Sequence, residues 1–174
     1  MVTFVVGDIL KSKAQVLTNT VNCVGVMGKG LALEFKQNFK GLFEDYQVRC
    51  KKGLVKPGHP YLWANEETQV LNFPTKRHWQ EDSKLEDIEA GLKYLATHFR
   101  EMGINTLALP PLGCGNGNLS WPDVKELIMK HLADIPDLEV FVYESQKAAK
   151  CFETDSVNTS SNFSDDETTA ALPL

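Results

Sequence analysis

Residues 14–35, AQVLTNTVNCVGVMGKGLALEF, contain the pattern from which the fold of this chain is predicted. An apolar run from Ala14 to Leu17 is followed by a loop with three glycines between Gly25 and Gly30, and then by an amphipathic segment that begins at Leu31. This order predicts a buried strand, a glycine-rich loop and a helix. Because no side chain blocks the backbone of such a loop, its N–H groups are open to an anion.

Strand and helix patterns alternate along the rest of the chain. Short apolar runs predict further strands at Val2–Val6, Tyr61–Trp63, Val70–Phe73, Thr106–Leu109 and Leu138–Tyr143. Apolar spacings of three and four predict helices from Leu31 to Phe39 and on to about Lys52, from Leu85 to Met102, and from Ser120 to about Leu132. This alternation predicts an α/β layered domain with a largely parallel sheet covered on both faces.

The helix that starts near Ser83 has the clearest end signals. Ser83 is predicted to cap it, and Glu86, three residues later, is predicted to return the hydrogen bond. Gly103 supplies the predicted stop.

A second glycine loop, Gly113-Cys114-Gly115-Asn116-Gly117-Asn118, follows the predicted strand Thr106–Leu109. Both glycine loops therefore occupy strand-to-helix junctions, where α/β sheets bind their ligands. A single loop of this kind is more often a structural turn, whereas two at one rim suit a diphosphate held from both sides. Neither loop matches the Walker pattern, because Lys29 is followed by Gly30 and Leu31 with no Ser or Thr for magnesium.

The charge of the chain argues against an extended nucleic-acid-binding surface. The formal net charge is −5, whereas proteins that contact many phosphates are basic. Much of the acidity lies in Glu153, Asp155, Asp165, Asp166 and Glu167, within a segment rich in Ser, Thr and Asn. Any contact with nucleic acid is therefore expected to be local.

The length of 174 residues fits one domain, which we expect over residues 1–145. After about Gln146 the apolar content falls, which predicts a polar, acidic and flexible tail over residues 146–174. No apolar stretch is long enough to cross a bilayer, and residues 1–8 lack the features of a signal peptide. A cytoplasmic protein without membrane association is expected.

The four cysteines, Cys23, Cys50, Cys114 and Cys151, are scattered and lack the close pairing of a zinc site. Free thiols are the simpler interpretation. No His/Cys or carboxylate cluster occurs at ligand spacing, so neither a metal nor another cofactor is expected.

Four motifs together resemble the macrodomain family in order and spacing. They are Val6-Gly7-Asp8-Ile9, Asn19-Thr20-Val21-Asn22, Gly25-Val26-Met27-Gly28-Lys29-Gly30-Leu31-Ala32 and Leu109-Pro110-Pro111-Leu112-Gly113-Cys114-Gly115. The resemblance spans most of Met1 to Tyr143 and implies a three-layer α/β/α domain with a mixed, largely parallel central sheet. Residues 72–79, NFPTKRHW, are similar to the DarG branch, antitoxins that remove ADP-ribose from thymine bases in DNA. The human terminal ADP-ribose glycohydrolase is a more distant relative.

The resemblance implies an ADP-ribose site. Asp8 would bind the exocyclic amine of adenine, Ile9 would contact the neighbouring ring nitrogen through its backbone, and Asn22 would lie near the distal ribose. The other implied ligand contacts are Thr20, Gly25, Val26, Met27, Gly28, Lys29, Gly30, Leu31, Thr75, Pro111, Leu112, Gly113, Cys114, Gly115, Asn116, Gly117, Asn118 and Tyr143. Asn19 is more typical of a structural residue, and Tyr143 fits either adenine stacking or the core.

Lys76 is the predicted catalytic residue. A lysine is by default a solvated surface charge, but the resemblance places Lys76 after a strand end and beside the distal ribose. There it would attack the anomeric carbon or stabilise charge on the departing base, and the sequence leaves both roles open. The human relative also has an acid in the second glycine loop, near the position of Gly117. No carboxylate flanks Gly117, which agrees with the DarG branch and argues against a two-residue acid/base scheme.

Arg77, His78 and Trp79 are candidate DNA contacts, because single strands are held by mixed cationic and aromatic surfaces. The alternative is that Trp79 packs under the loop and Arg77 is solvated.

The predicted function is the hydrolytic removal of ADP-ribose from modified thymine bases in single-stranded DNA. We expect a monomer that reverses the modification made by a DarT-type ADP-ribosyltransferase toxin, which is the expected partner. A module that binds ADP-ribose without turnover is the alternative from another class, and Lys76 is the feature that separates them. Hydrolysis of ADP-ribosylated carboxylates or of ADP-ribose metabolites is a third hypothesis.

Overall fold

The computed structural model describes residues 1–144, which form one six-stranded sheet. The strands are β1 (Val2–Val6), β2 (Val16–Asn22), β3 (Tyr61–Ala64), β4 (Gln69–Lys76), β5 (Thr106–Leu109) and β6 (Glu139–Glu144). Their order is β1-β6-β5-β2-β4-β3, and every neighbouring pair is parallel except β3 with β4. The predicted mixed, largely parallel sheet is confirmed. The predicted tail, residues 146–174, lies outside the described residues.

Helices cover both faces of this sheet. They are α1 (Gly30–Asn38), α2 (Leu42–Lys51), α3 (Leu85–His98) and α4 (Trp121–Leu132), and a short 3-10 helix spans Ile9–Lys11. Adjacent residues of a strand point to opposite faces, so Leu71 packs in the cluster beneath α3 and α4, whereas Val70 packs with Phe35 of α1. The three-layer arrangement is confirmed.

Strands β2 and β4 are longer than the apolar runs that predicted them. The run Ala14–Leu17 becomes a strand that starts at Val16 and continues to Asn22. Its polar residue Asn19 is fully buried and donates from Nδ2 to Asn72 Oδ1 of β4, at 3.1 Å. Paired side-chain amides let polar residues continue a central strand, which an apolar criterion misses. Strand β4 extends beyond its apolar run because Pro74 and Lys76 pair with Val21 and Asn22 of β2, so Lys76 is the last residue of β4 and not a residue beyond its end.

The predicted cap of α3 is wrong. The N-cap position is Lys84, and no side chain caps the helix. Ser83 instead lies against the second glycine loop: its backbone N–H donates to the Gly117 carbonyl at 3.0 Å, and its Oγ is buried without a partner among the described residues. A tertiary contact has therefore replaced the local capping interaction. Gly103 does adopt a left-handed conformation, with φ of 70°, in the turn that follows α3.

Candidate active site

A cavity of about 1020 Å³ lies across the carboxyl ends of the five parallel strands. It is lined by residues at or just after the end of each: Gly7 after β1, Glu144 in β6, Pro110 after β5, Asn22 in β2 and Lys76 in β4. Four strand spacings separate β1 from β4, or roughly 19 Å. The volume is at the upper end of the range of small-molecule sites. The cavity can therefore accept an extended ligand of nucleotide size or larger.

Most of the predicted ligand contacts line this cavity. They are Ile9, Thr20, Asn22, Val26, Gly28, Lys29, Gly30, Leu31, Thr75, Pro111, Gly113, Cys114, Gly115, Asn116, Gly117, Asn118 and Tyr143, together with Lys76 and Trp79. Six predicted residues are not among the lining residues: Asp8, Gly25, Met27, Leu112, Arg77 and His78. Met27 and Leu112 are buried in the core beneath the loops.

At the β1 and β6 end, Asp8 has a structural contact of its own. Its carboxylate accepts a hydrogen bond from the Leu10 backbone N–H at 3.0 Å and so caps the short 3-10 helix. Tyr143 lines the cavity and also packs against the cluster around Phe35, so adenine stacking stays a prediction beside a contact with the core. Glu144 lines the cavity, and its Oε1 is held by Trp121 Nε1 and Lys125 Nζ, each at 3.2 Å.

Asn22 organises the first glycine loop. Its Nδ2 donates to the Val26 carbonyl at 2.7 Å, and its Oδ1 accepts from the Val24 backbone N–H at 3.0 Å and from the Tyr46 hydroxyl at 2.7 Å. Burial raises the pKa of Tyr46, which keeps this hydroxyl protonated as a donor. The loop is thus preorganised by the side chain of a strand residue that also lines the cavity.

The two glycine loops meet over the cavity. Gly30 adopts a left-handed conformation, with φ of 55°, and a Cβ atom at this position would lie 3.2 Å from Asn116 Nδ2 of the second loop. A ligand between them would be enclosed from both sides, with backbone N–H groups of each loop available to a diphosphate.

Packing explains why no acid stands at Gly117. A Cβ atom there would overlap Ser83 Oγ and the carbonyl oxygen of Gly113. The loop closes around this point, since the Leu119 N–H donates to the same Gly113 carbonyl at 2.9 Å. Position 117 has no space for a side chain, so the loop cannot offer a carboxylate there.

Lys76 is the half-buried cation of the cavity, opposite Asn22 in the β2–β4 register. Its Nζ donates to the Trp79 carbonyl at 3.3 Å. Two thiols lie close by: Cys23 donates to the Lys76 carbonyl, and Cys114 lines the cavity. Burial raises the pKa of each thiol to about 11, so neither is a thiolate at neutral pH. The thiols are therefore poor candidates for a nucleophile, and Lys76 remains the predicted catalytic residue.

The three candidate DNA contacts differ in their surroundings. The Arg77 guanidinium forms two hydrogen bonds of 3.0 Å with the Asp87 carboxylate of α3. Trp79 is 50% exposed at the cavity and stacks on His78, with ring centroids 5.6 Å apart. Trp79 therefore presents a partly exposed aromatic ring at the cavity, while the charge of Arg77 is already paired.

Sequence reasoning missed eight lining residues: Gly7, Val21, Ala32, Gln80, Glu81, Asp82, Pro110 and Glu144. The segment from Gln80 to Asp82 follows the carboxyl end of β4, so the rule that places ligands beyond strand ends would have included it had β4 been given its full length.

Metal-binding clusters and membrane-spanning helices are both absent from residues 1–144, the part of the chain that the structure describes. No group of three or more His, Cys, Asp or Glu side chains there is arranged to hold a metal ion. Nor does any helix in this range combine the length and apolar character needed to cross a membrane.

Comparison with known proteins identifies a matching family model, similar curated proteins and similar solved structures. The macro domain family model matches residues 18–128. A DNA ADP-ribosyl glycohydrolase of Mycobacterium tuberculosis is 40% identical over 157 residues, which cover 88% of this chain and 45% of the relative. The structure of the macrodomain of Mycobacterium tuberculosis DarG matches with a TM-score of 0.79 and 42% identity, covering 82% of this chain and 97% of that one. Thermosipho africanus DarTG in complex with ADP-ribose matches with a TM-score of 0.80 and 38% identity, over 84% and 42% of the two chains. The chain spans less than half the length of the curated mycobacterial relative.

Proposed function

This chain belongs to the macro domain family, and from that premise we propose that it is an ADP-ribosyl glycohydrolase acting on modified thymine bases in single-stranded DNA. The observation that carries the proposal is that Lys76 and both glycine loops line one cavity. The loops provide the means to hold a diphosphate, and Lys76 provides an amine at one end of the same space. The solved relative with ADP-ribose bound supports this choice of ligand.

The proposed ligand orientation follows the order of the strands. Adenine lies at the β1 and β6 end, near Ile9 and Tyr143, the diphosphate lies between the glycine loops, and the distal ribose lies near Asn22 and Lys76. The bond to the modified base is then beside Lys76. Asp8 does not line the cavity itself but stands between Gly7 and Ile9, which do, so in this proposal it binds adenine at the cavity edge through the carboxylate oxygen that does not cap the 3-10 helix.

The reaction is hydrolysis of an N-glycosidic bond. The bond between the anomeric carbon of the distal ribose and the base nitrogen breaks, its electron pair stays on the base, and the oxygen of water becomes bonded to the anomeric carbon. The base takes up the proton that water gives up. Lys76 assists either as a transient nucleophile at the anomeric carbon or as a cation that stabilises the departing base.

The choice of a DNA base as substrate is supported by Trp79. Its exposed face lies three residues after Lys76, and stacking on an aromatic ring holds unpaired bases without regard to sequence. With a net charge of −5, the chain has no general attraction for phosphate, so the contact is local to the cavity mouth. We propose a monomer that works in the cytoplasm. It reverses the reaction of a DarT-type transferase, a partnership suggested by a relative from Thermosipho africanus that is named a DNA ADP-ribosyl transferase-DNA ADP-ribosyl glycohydrolase fusion protein.

Substrate choice is tested with two substrates side by side. The protein is incubated with a single-stranded oligonucleotide that carries ADP-ribosylated thymine, and separately with a peptide that carries ADP-ribosylated glutamate, and released ADP-ribose is measured by chromatography. We expect release from the oligonucleotide. Release from the peptide alone would contradict the DNA assignment, and binding of ADP-ribose without release from either substrate would identify a reader module.

A further inference from the structure

Residues 79–83, which we call the linking segment, connect Lys76 to the second glycine loop. At one end, Lys76 Nζ donates to the Trp79 carbonyl at 3.3 Å. At the other end, the Ser83 N–H donates to the Gly117 carbonyl at 3.0 Å, and Asn118 Nδ2 donates to Asp82 Oδ1 at 2.7 Å. A continuous series of contacts therefore runs from the predicted catalytic amine to the second glycine loop, where the diphosphate is proposed to bind.

The contact between Asp82 and Asn118 occurs where the loop backbone is unusual. Asn118 has φ of 59° and is the non-glycine residue with a left-handed backbone among residues 1–144. Asn adopts this conformation more readily than other residues with a side chain, and contacts of its side chain can hold it in place. The hydrogen bond to the Asp82 carboxylate is such a contact: it is short and charge-assisted, and it joins two exposed side chains. Asp82 thereby stabilises the loop conformation.

We propose that Asp82 is a positioning residue, which couples the second glycine loop to Lys76 through the linking segment. Occupation of the loop by a diphosphate fixes Asn118, the Asp82 contact fixes the linking segment, and the Trp79 carbonyl then orients the Lys76 amine. This inference rests on the proposed function, because it needs a diphosphate in the loop and chemistry at Lys76. It adds a residue that sequence reasoning did not select.

The same carboxylate could instead act by its charge, as a proton acceptor near the distal ribose. Substitution separates these roles. Asp82→Asn keeps an oxygen that accepts from Asn118 Nδ2 but removes the charge, whereas Asp82→Ala removes both. Asn118→Ala removes the hydrogen bond and leaves the carboxylate.

The experiment measures kcat and KM for ADP-ribose release from ADP-ribosylated single-stranded DNA by the wild type, the three variants and the double variant Asp82→Ala/Asn118→Ala. Asp137→Ala is the matched control, because Asp137 is also an exposed carboxylate in short hydrogen bonds, with Arg100, and does not line the cavity. Thermal melting confirms that each variant is folded.

We expect Asp82→Ala to lower kcat by on the order of 10-fold with little change in KM, because the reacting groups are displaced while ligand contacts remain. Asn118→Ala should lower kcat by a similar factor and also raise KM, because Asn118 lines the cavity as an implied ligand contact. Asp82→Asn retains most of the wild-type kcat, and the double variant is no slower than either single variant.

Three results would each overturn the proposal: a wild-type kcat for Asp82→Ala, a loss of kcat for Asp82→Asn equal to that for Asp82→Ala, or multiplied losses in the double variant. A wild-type protein that releases no ADP-ribose would refute the proposed function instead, so the two failures are distinguishable.

Discussion

Gly115 and Gly117 lie two residues apart in the second glycine loop, and the loop needs them for different reasons. A Cβ atom at Gly115 meets nothing within 4 Å, whereas one at Gly117 overlaps Ser83 and the Gly113 carbonyl. The fold therefore has space for a side chain at Gly115, where a ligand that approaches the backbone would favour glycine, but it has none at Gly117.

Opposite outcomes follow for two substitutions. Gly115→Leu is expected to keep the wild-type melting temperature and to weaken ADP-ribose binding about 10-fold or more, because its side chain enters the cavity that the loop lines. Gly117→Ala is expected to lower stability by about 1–3 kcal/mol, the usual cost of overpacking. Thermal melting and calorimetry measure both effects. Unchanged affinity in Gly115→Leu would place the diphosphate elsewhere.

Lys76 has two candidate roles, and arginine separates them. A guanidinium stays protonated and cannot form a bond to the anomeric carbon, but it can stabilise charge on a departing base. If Lys76 is the nucleophile, Lys76→Arg should be as inactive as Lys76→Ala in single-turnover release of ADP-ribose. Recovery of most of the activity by arginine would assign the fixed-charge role.

At the scale of elements, the sequence predicted the existence and order of strands and helices better than their ends. Apolar runs located every strand, but β2 extends beyond its run because Asn19 pairs with Asn72 inside the sheet, and β4 extends to Lys76 alongside the end of β2. Ser83 fits a capping pattern, yet it contacts the glycine loop. In both cases a partner distant in sequence decides the outcome, and one-dimensional patterns do not contain that partner.

Helices α3 and α4 are joined by a carboxylate that gives stability a specific pH dependence. Glu89 Oε1 lies 2.9 Å from His131 Nε2 and accepts from Lys130 Nζ at 3.1 Å. The hydrogen bond with His131, followed by that with Lys130, lowers the pKa of Glu89 from 4.5 to about 2. A carboxylate with a lowered folded-state pKa stabilises the fold above its unfolded-state value, and this contribution disappears as the pH falls from about 4.5 to about 2.

Glu89→Gln is therefore expected to reduce the decrease in the free energy of unfolding at acid pH. Between about pH 4.5 and pH 2, the free energy of unfolding should fall more steeply for the wild type than for the variant, because glutamine does not titrate. Urea unfolding at several pH values in this window measures the difference. Glu101→Gln, at an exposed acid after α3, serves as control. Parallel curves for wild type and Glu89→Gln would contradict the role of this contact.

For the whole molecule, a ligand that bridges five strand ends should stabilise the fold as one unit. At ADP-ribose concentrations of 100 times Kd, linkage adds about 2.7 kcal/mol. For a chain of this size, each kcal/mol raises the melting temperature by roughly 2–4 °C. Thermal melting with millimolar ADP-ribose should show such a shift for the wild type and a smaller one for Gly115→Leu. No shift for the wild type would contradict ADP-ribose as the ligand.

The position of the site was also predictable in outline. Two glycine loops at strand-to-helix junctions predicted a cavity at the carboxyl rim, where the structure has one. The detailed contacts were less accessible: the pairing of Arg77 with Asp87 and the contact between Asp82 and Asn118 join segments that no local pattern relates. The prediction that Lys76 is catalytic rests on the family resemblance, because a lysine by itself predicts only a surface charge.

We propose that Lys76 performs the chemistry, in a cavity that other residues use for binding. The most direct measurement is the rate of ADP-ribose release from ADP-ribosylated single-stranded DNA at saturating substrate, for the wild type and for Lys76→Ala. Because adenine and diphosphate contacts come from the loops and the β1 end, the variant should lose at least about 100-fold in rate while its affinity for free ADP-ribose changes little. Release by Lys76→Ala at the wild-type rate would show that catalysis lies elsewhere.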